Sequence, residues 1–260
     1  MLPRIERRRR ERLAERPAPD AWRVLLAREV PLLRQMPESL RQRLTGLMQV
    51  FLAEKTFVGC NGLEVSDTMR LVIAAQACAL VLERPGVPSA GLYPALRSIL
   101  VYPAEFLVHE QHEDEHGLVT EGHRSLSGQA WDASRIILSW ADVTDSGDGY
   151  NVVLHEFAHY LDVEDDITTD GFERTDGQEH AAWQDDLRRE YERLAADIDA
   201  GRDTFLDPYA ASEPAEFFAV ATEAFFDVPR ELVLHHPVLY ARLAEYYRLD
   251  PARWTAASNS

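Results

Sequence analysis

The chain has 260 residues, 46% of them hydrophobic and 27% charged, a balance ordinary for a soluble globular protein able to enclose a substantial core. It has no apolar run of roughly 18 residues, no apolar segment after its basic start, and only two cysteines, Cys60 and Cys78. These features argue against a membrane span, a secretory leader and a disulfide framework, and the expected location is the cytoplasm. The formal charge is -17; residues 1–20 hold seven Arg against four acids, so the remainder carries -20. Such a body repels phosphate backbones, which argues against general nucleic-acid binding.

In chain order, residues 1–20 read as a basic, flexible arm. AWRVLLAREVPLLRQM and PESLRQRLTGLMQVFLAEK carry apolar residues at helical spacing, with Ser39 near the start of the second. TFVGCNGLEV reads as a break with two Gly, and SDTMRLVIAAQACALVLERP as an apolar helix ended by Pro85 and Gly86. RSILVYPAEFLV, HGLVTEGHRSLSG and SRIILSWADV are β-rich, which predicts a small sheet of three to five strands. DSGDG (145–149) is a turn, and helical character begins at Tyr150. AAWQDDLRREYERLAADIDAG is a long helix closed by Gly201, EPAEFFAVATEAFFDVP a helix with Ser212 as N-cap, and PVLYARLAEYYRL the last. The expected fold class is α+β, as one domain over 21–250. Residues 21–95 form its helical layer, 96–250 its sheet and later helices, and 251–260 a loose tail.

Residues 151–162, NVVLHEFAHYLD, carry the chemistry. His155 and His159 are four apart, hence on one face of a helix and able to aim both rings at one ion. Glu156 projects beside them, and Val152, Val153, Leu154, Phe157, Ala158 and Leu161 would anchor the other sides. Random placement yields such a pattern in about 3% of chains of this composition, so the five residues alone are only moderately specific. A catalytic zinc takes three protein ligands and keeps one open position. The third is to be sought among Asp162, Glu164 to Asp166, Glu213, Glu216 and Glu223. Asp162 suits a supporting role better than ligation. Glu216 is the better ligand, because a carboxylate beside Phe217 and Phe218 needs a reason, and Glu223 stands two turns further along to brace a histidine. Tyr209, in LDPYAASEPAEFF, could reach a developing oxyanion, but by itself reads more simply as a packing or surface residue. His109 to His116, three His and four acids without an apolar anchor, reads as a solvated loop.

Together VVLHEFAHYLD and LDPYAASEPAEFFAVATEAFF closely resemble the Mlc titration factor A family of bacterial zinc peptidases. FLAEKTFVGCNGLEVSDTMRLVIAAQAC, LRSILVYPAEF and the LSW after RII extend the resemblance to roughly residues 21–250. The catalytic part is also similar to the terminal domain of anthrax lethal factor. The resemblance implies a zincin-like fold with a small mixed sheet, one zinc ion on His155, His159 and Glu216, Glu156 as general base and Tyr209 as transition-state stabiliser. It further implies cytosolic, aminopeptidase-type activity on small substrates and binding of the glucose-responsive repressor Mlc. Val220 departs from the lethal-factor pattern, which has a second Glu there. The acidic His-rich 109–116 loop is a second departure.

For an aminopeptidase, Glu164–Asp166 or Asp170 is expected near the substrate's α-ammonium. A non-catalytic protein that sequesters a transcription regulator is the rival from another class. A deformylase would need a cysteine ligand, and Cys60 and Cys78 lie in unlike contexts.

Overall fold

The computed structural model describes residues 4–104, 133–168 and 178–254. Four helices come first: α1 (Arg4–Ala14), α2 (Asp20–Glu29), the single-turn α3 (Leu32–Gln35) and α4 (Glu38–Glu54). Then come β1 (Thr56–Gly59), α5 (Asp67–Leu80), β2 (Ser98–Tyr102), β3 (Arg135–Ser139), α6 (Trp140–Thr144) and α7 (Val152–Asp165). α8 (Gln178–Asp199), a 3-10 turn (Pro208–Ala211), α9 (Pro214–Asp227), α10 (Pro229–His235) and α11 (Pro237–Tyr247) complete the order. The class is α+β, as expected. Among the described residues no helix is long and apolar enough to cross a membrane.

Local chemistry sets most boundaries. Pro31 separates α2 from α3, because its ring blocks a continuous helical ladder; Val30 before it is extended. Ser66 caps α5 by accepting from the Met69 amide at 3.2 Å. From Leu71 to Leu80 every residue of α5 is buried, since α2, α4 and α7 all pack on it. It ends five residues before Pro85, where Val81 leaves helical geometry. Pro214 occupies the first turn of α9, but the N-cap is Glu213 rather than Ser212. Ser212 belongs to the preceding 3-10 turn, and its hydroxyl bonds the Tyr209 carbonyl at 2.7 Å.

The described strands form a parallel sheet in the order β1-β2-β3, so the described part is not mixed. Phe57, Ile99 and Ile136 are in register, as are Val101 and Leu138, and all five are buried against the helices. β1 falls within the stretch read as a break. The turn begins just after it, at Cys60 to Leu63, with Asn61 and Gly62 at positive φ. A Cβ on Gly59 would lie 1.8 Å from the Leu63 carbonyl oxygen, so glycine ends the strand for a packing reason. The strand-like 116–128 segment and the His109–His116 loop lie outside the described residues.

The Arg-rich start, expected to be a flexible arm, is helical from Arg4 and packs on α4. Arg10 donates to Glu54 at 2.8 Å and to the Ser89 carbonyl at 3.4 Å, while the Ser89 hydroxyl donates to Glu11 at 2.7 Å. Leu13 and Ala14 lie against the core. Gly46 admits this approach, for a Cβ there would sit 2.6 Å from the Ala14 carbonyl oxygen. A basic helix on an acidic body is held by pairing one face and solvating the other.

The deepest part of the core lies under α7. Phe157 packs against Tyr93 and Phe51 at ring separations of 4.8 and 5.9 Å, and the Tyr93 hydroxyl donates to the Ala77 carbonyl at 2.6 Å. The Tyr160 hydroxyl accepts from the Ala95 amide at 2.9 Å. Burying side chains such as Phe157 contributes about 1.5–3 kcal/mol each and fixes the rotation of α7 about its axis. His155 and Glu156 are thereby turned away from that core.

Candidate metal centre

α7 begins at Asn151, whose Oδ1 accepts from the Leu154 amide at 3.2 Å. Asn capping follows from its short acceptor side chain, and it sets the helix phase four residues before the first histidine. α9 crosses α7 in the most extensive helix–helix packing among the described residues. That crossing brings together residues about sixty positions apart in sequence.

At the crossing, the Nε2 atoms of His155 and His159 lie 3.1 Å apart. Glu216 Oε2 stands 3.1 Å from the first and 3.5 Å from the second. Donors around a tetrahedral divalent ion with bonds of about 2.0–2.1 Å are separated by about 3.3 Å, so these three atoms fit one small ion. Glu216 is 3% exposed, and its buried Oε2 faces the two imidazoles. Such an atom is costly to bury unless a cation meets it. Among the described residues this is the one grouping of His, Cys, Asp or Glu able to hold a metal ion.

Glu223, two turns along α9, holds His155 from behind. Its Oε1 is 2.8 Å from His155 Nδ1, and its Oε2 accepts from the Asn151 amide. A protonated Nδ1 donating to this carboxylate leaves Nε2 as a lone-pair donor facing the ion position. Burial pulls the His155 pKa down, but Glu216 and Glu223 outweigh it and raise it to about 10. Burial likewise raises Glu216, and the two imidazoles override it, holding the carboxyl well below the usual range. A cation entering the cluster therefore displaces a proton from His155.

Glu156 lies beside the cluster, and burial pushes its carboxyl above the ordinary value despite the neighbouring imidazoles. Tyr209 sits at the rim on the 3-10 turn, 41% exposed, its turn capped by Asp207 accepting the Tyr209 amide at 2.8 Å. Burial and the adjacent Glu216 carboxylate raise its phenol. His155 and His159 side chains keep 15% and 11% exposure, so the cluster is reached from solvent on this side.

The remaining acids have other partners. Asp162 accepts from the amide and hydroxyl of Thr168, tying down the chain beyond α7 instead of orienting His159. Asp165 forms a two-point pair with Arg84 at 2.6 and 3.0 Å and accepts the Tyr246 hydroxyl at 2.6 Å. Glu164 lies 3.5 Å from the same guanidinium. Both therefore face Arg84 at the C-terminal end of α7. Asp170 lies outside the described residues. Val220 is buried in the core. Asn151 is a residue that sequence reasoning missed; an Asn directly before an apolar helical run is the signal that could have found it.

The whole chain has relatives. A family model described as glucose-regulated metallo-peptidase M90 matches residues 4–248. Mlc titration factor A of Serratia proteamaculans is 36% identical over 88% of this chain and 87% of its own length. The protein of that name from Cronobacter sakazakii is 35% identical over 90% and 88%. An uncharacterized protein of Synechocystis is 39% identical over 94% and 89%. The match takes in α1, the sheet and both helices of the cluster, so the chain belongs to the glucose-regulated M90 metallopeptidase family.

Proposed function

We infer that this protein is a zinc-dependent peptidase of zincin-like fold, hydrolysing peptide bonds near the amino terminus of small substrates. The observation that carries this reading is the convergence of His155, His159 and Glu216 on one point, with Glu156 beside it. Two imidazoles and one carboxylate are the donor set of catalytic zinc in hydrolases. Zinc bound there would lower the pKa of a water toward about 7 and polarise the scissile carbonyl.

The chain's own residues perform the rest. Glu156 takes the proton of the attacking water on its carboxylate and delivers it to the departing amine; its raised pKa suits both transfers. Tyr209 donates from its hydroxyl to the carbonyl oxygen as charge gathers there, and its place at the rim lets it turn toward substrate. Glu223 and Asn151 keep the His155 ring from rotating. The two cysteines are unpaired, in keeping with a reducing cytoplasm.

Binding of an Mlc-like repressor is the second element of the proposal, supported by the name shared by the relatives from Serratia and Cronobacter. A purely sequestering role would give Glu156 no task.

The test is Glu156→Gln. Zinc content should stay at the level of the unaltered protein while cleavage of aminoacyl amides and short peptides falls by about 10²–10⁴. An active Glu156→Gln protein would overturn the peptidase reading, whereas preserved repressor binding by it would separate the two activities.

A further inference from the structure

At the N-terminal end of α7, on the far side of Asn151 from the histidines, a partly open chamber of about 380 Å³ lies among α2, α5, α6 and the end of α9. Its walls include Trp140, Phe226 and Trp254, and its polar groups include Gln76, Asn151 and Asp227. Two of these carry an unusual feature. Gln76 is 4% exposed on an otherwise apolar stretch of α5, and its Oε1 has no hydrogen-bond partner. Asp227 Oδ2 is likewise buried and unpartnered. Gln76 Oε1 is an acceptor, and Asp227 Oδ2 is one when its carboxyl is ionised, so a cationic group bearing N–H donors completes both. The rim adds the acids Glu29 and Asp148, and the aromatic walls offer faces that attract cations. The volume is in the range of small-molecule sites.

Asp227 also connects to the histidine cluster through Asn151 and Glu223. The Asn151 side chain hydrogen bonds Asp227, and the same residue caps α7 with Oδ1 and donates its amide to Glu223, the carboxylate that holds His155. Occupancy of the chamber thus bears on a residue that sets the phase of α7.

We propose that this chamber is a second binding site, specific for a small organic ammonium ion with an apolar body. Its ammonium group donates to Asp227 and Gln76, and its apolar part lies on Trp140, Trp254 and Phe226. Binding there is coupled to the metal cluster through Asn151 and Glu223. Binding itself does not depend on the peptidase reading; only the coupling bears on that cluster.

The test uses 2-phenylethylamine as probe, with 2-phenylethanol as its neutral counterpart, titrated calorimetrically into the full chain with and without zinc. The amine should bind the zinc-free protein, which separates this site from a substrate amine pocket that needs the metal. Binding should weaken at least tenfold in Asp227→Asn and in Gln76→Leu, and remain in Glu216→Gln. Equal affinity for the alcohol, absence of binding, or full retention in both chamber variants would overturn the proposal and leave the orphaned acceptors to water. Saturating amine should change the zinc dissociation constant at least threefold, by reciprocity of linked sites. An unchanged constant overturns the coupling. A Glu156→Gln protein that stays active would sink the peptidase reading without touching these results.

Discussion

Glu223 reaches across from α9 to hold Nδ1 of His155 at 2.8 Å, and with its second oxygen it accepts the amide that precedes α7. One carboxylate thereby holds both the ring of a cluster histidine and the start of the helix that carries it. Glu223→Ala should lower zinc affinity about 10–100-fold while leaving the protein folded. Competition with a fluorescent chelator measures this, and an unchanged affinity would show that packing alone orients His155.

Glu216 is the proposed third donor, its Oε2 facing the two histidines. Glu216→Gln replaces a charged donor with a weaker, neutral one, and should reduce tightly held zinc below one ion per chain. Metal analysis after gel filtration checks it. Full stoichiometry would move the third ligand elsewhere.

The proposed role of Tyr209 is to act on the reacting carbonyl and not on the ion. Tyr209→Phe should retain zinc, leave KM nearly constant and lower kcat about 10²–10³-fold. A change confined to KM would make the phenol a substrate-binding group.

Arg84 neutralises Glu164 and Asp165 at the end of α7. Removing it in Arg84→Ala leaves two half-buried carboxylates and the Tyr246 hydroxyl without their cation. A loss of about 1–3 kcal/mol is expected, read as a Tm drop of several degrees, with KM for an aminoacyl amide unchanged. A raised KM would return these acids to the substrate site.

Asp227 provides the pH dependence. Burial lifts its carboxyl to about 7 against the opposing Asn151 hydrogen bond. Between its ordinary value near 4 and about 7 the folded protein keeps the proton that the unfolded chain gives up. Stability therefore falls as pH rises through that window, by a few kcal/mol at most. Asp227→Asn escapes the loss, so its Tm advantage over the unaltered chain should be larger at pH 8 than at pH 5. A constant difference would place Asp227 in water.

The α+β class, the ligand helix and its two histidines were legible because their signals are local. A repeat of 3.6 residues and the four-residue spacing of His155 and His159 act within a few positions. β1 was hidden because four residues closed by Gly59 carry little periodicity and are held by hydrogen bonds to β2 some forty residues away. The N-terminal helix was hidden because its six arginines give no hint of the Glu54 and Ser89 partners that hold Arg10.

The sequence by itself determined that His155 and His159 share one helix face with Glu156 beside them, since helical geometry leaves no alternative at that spacing. Among the carboxylates it could rank but not choose. The crossing of α7 and α9 chose Glu216 as the third member of the cluster and Glu223 as the brace behind His155. The same tertiary packing assigned Asp162 to Thr168, and Glu164 and Asp165 to Arg84. Those assignments depend on distances between helices, which follow from how Phe157 and its neighbours pack. Periodicity fixes the angle around a helix axis; only packing fixes what stands opposite.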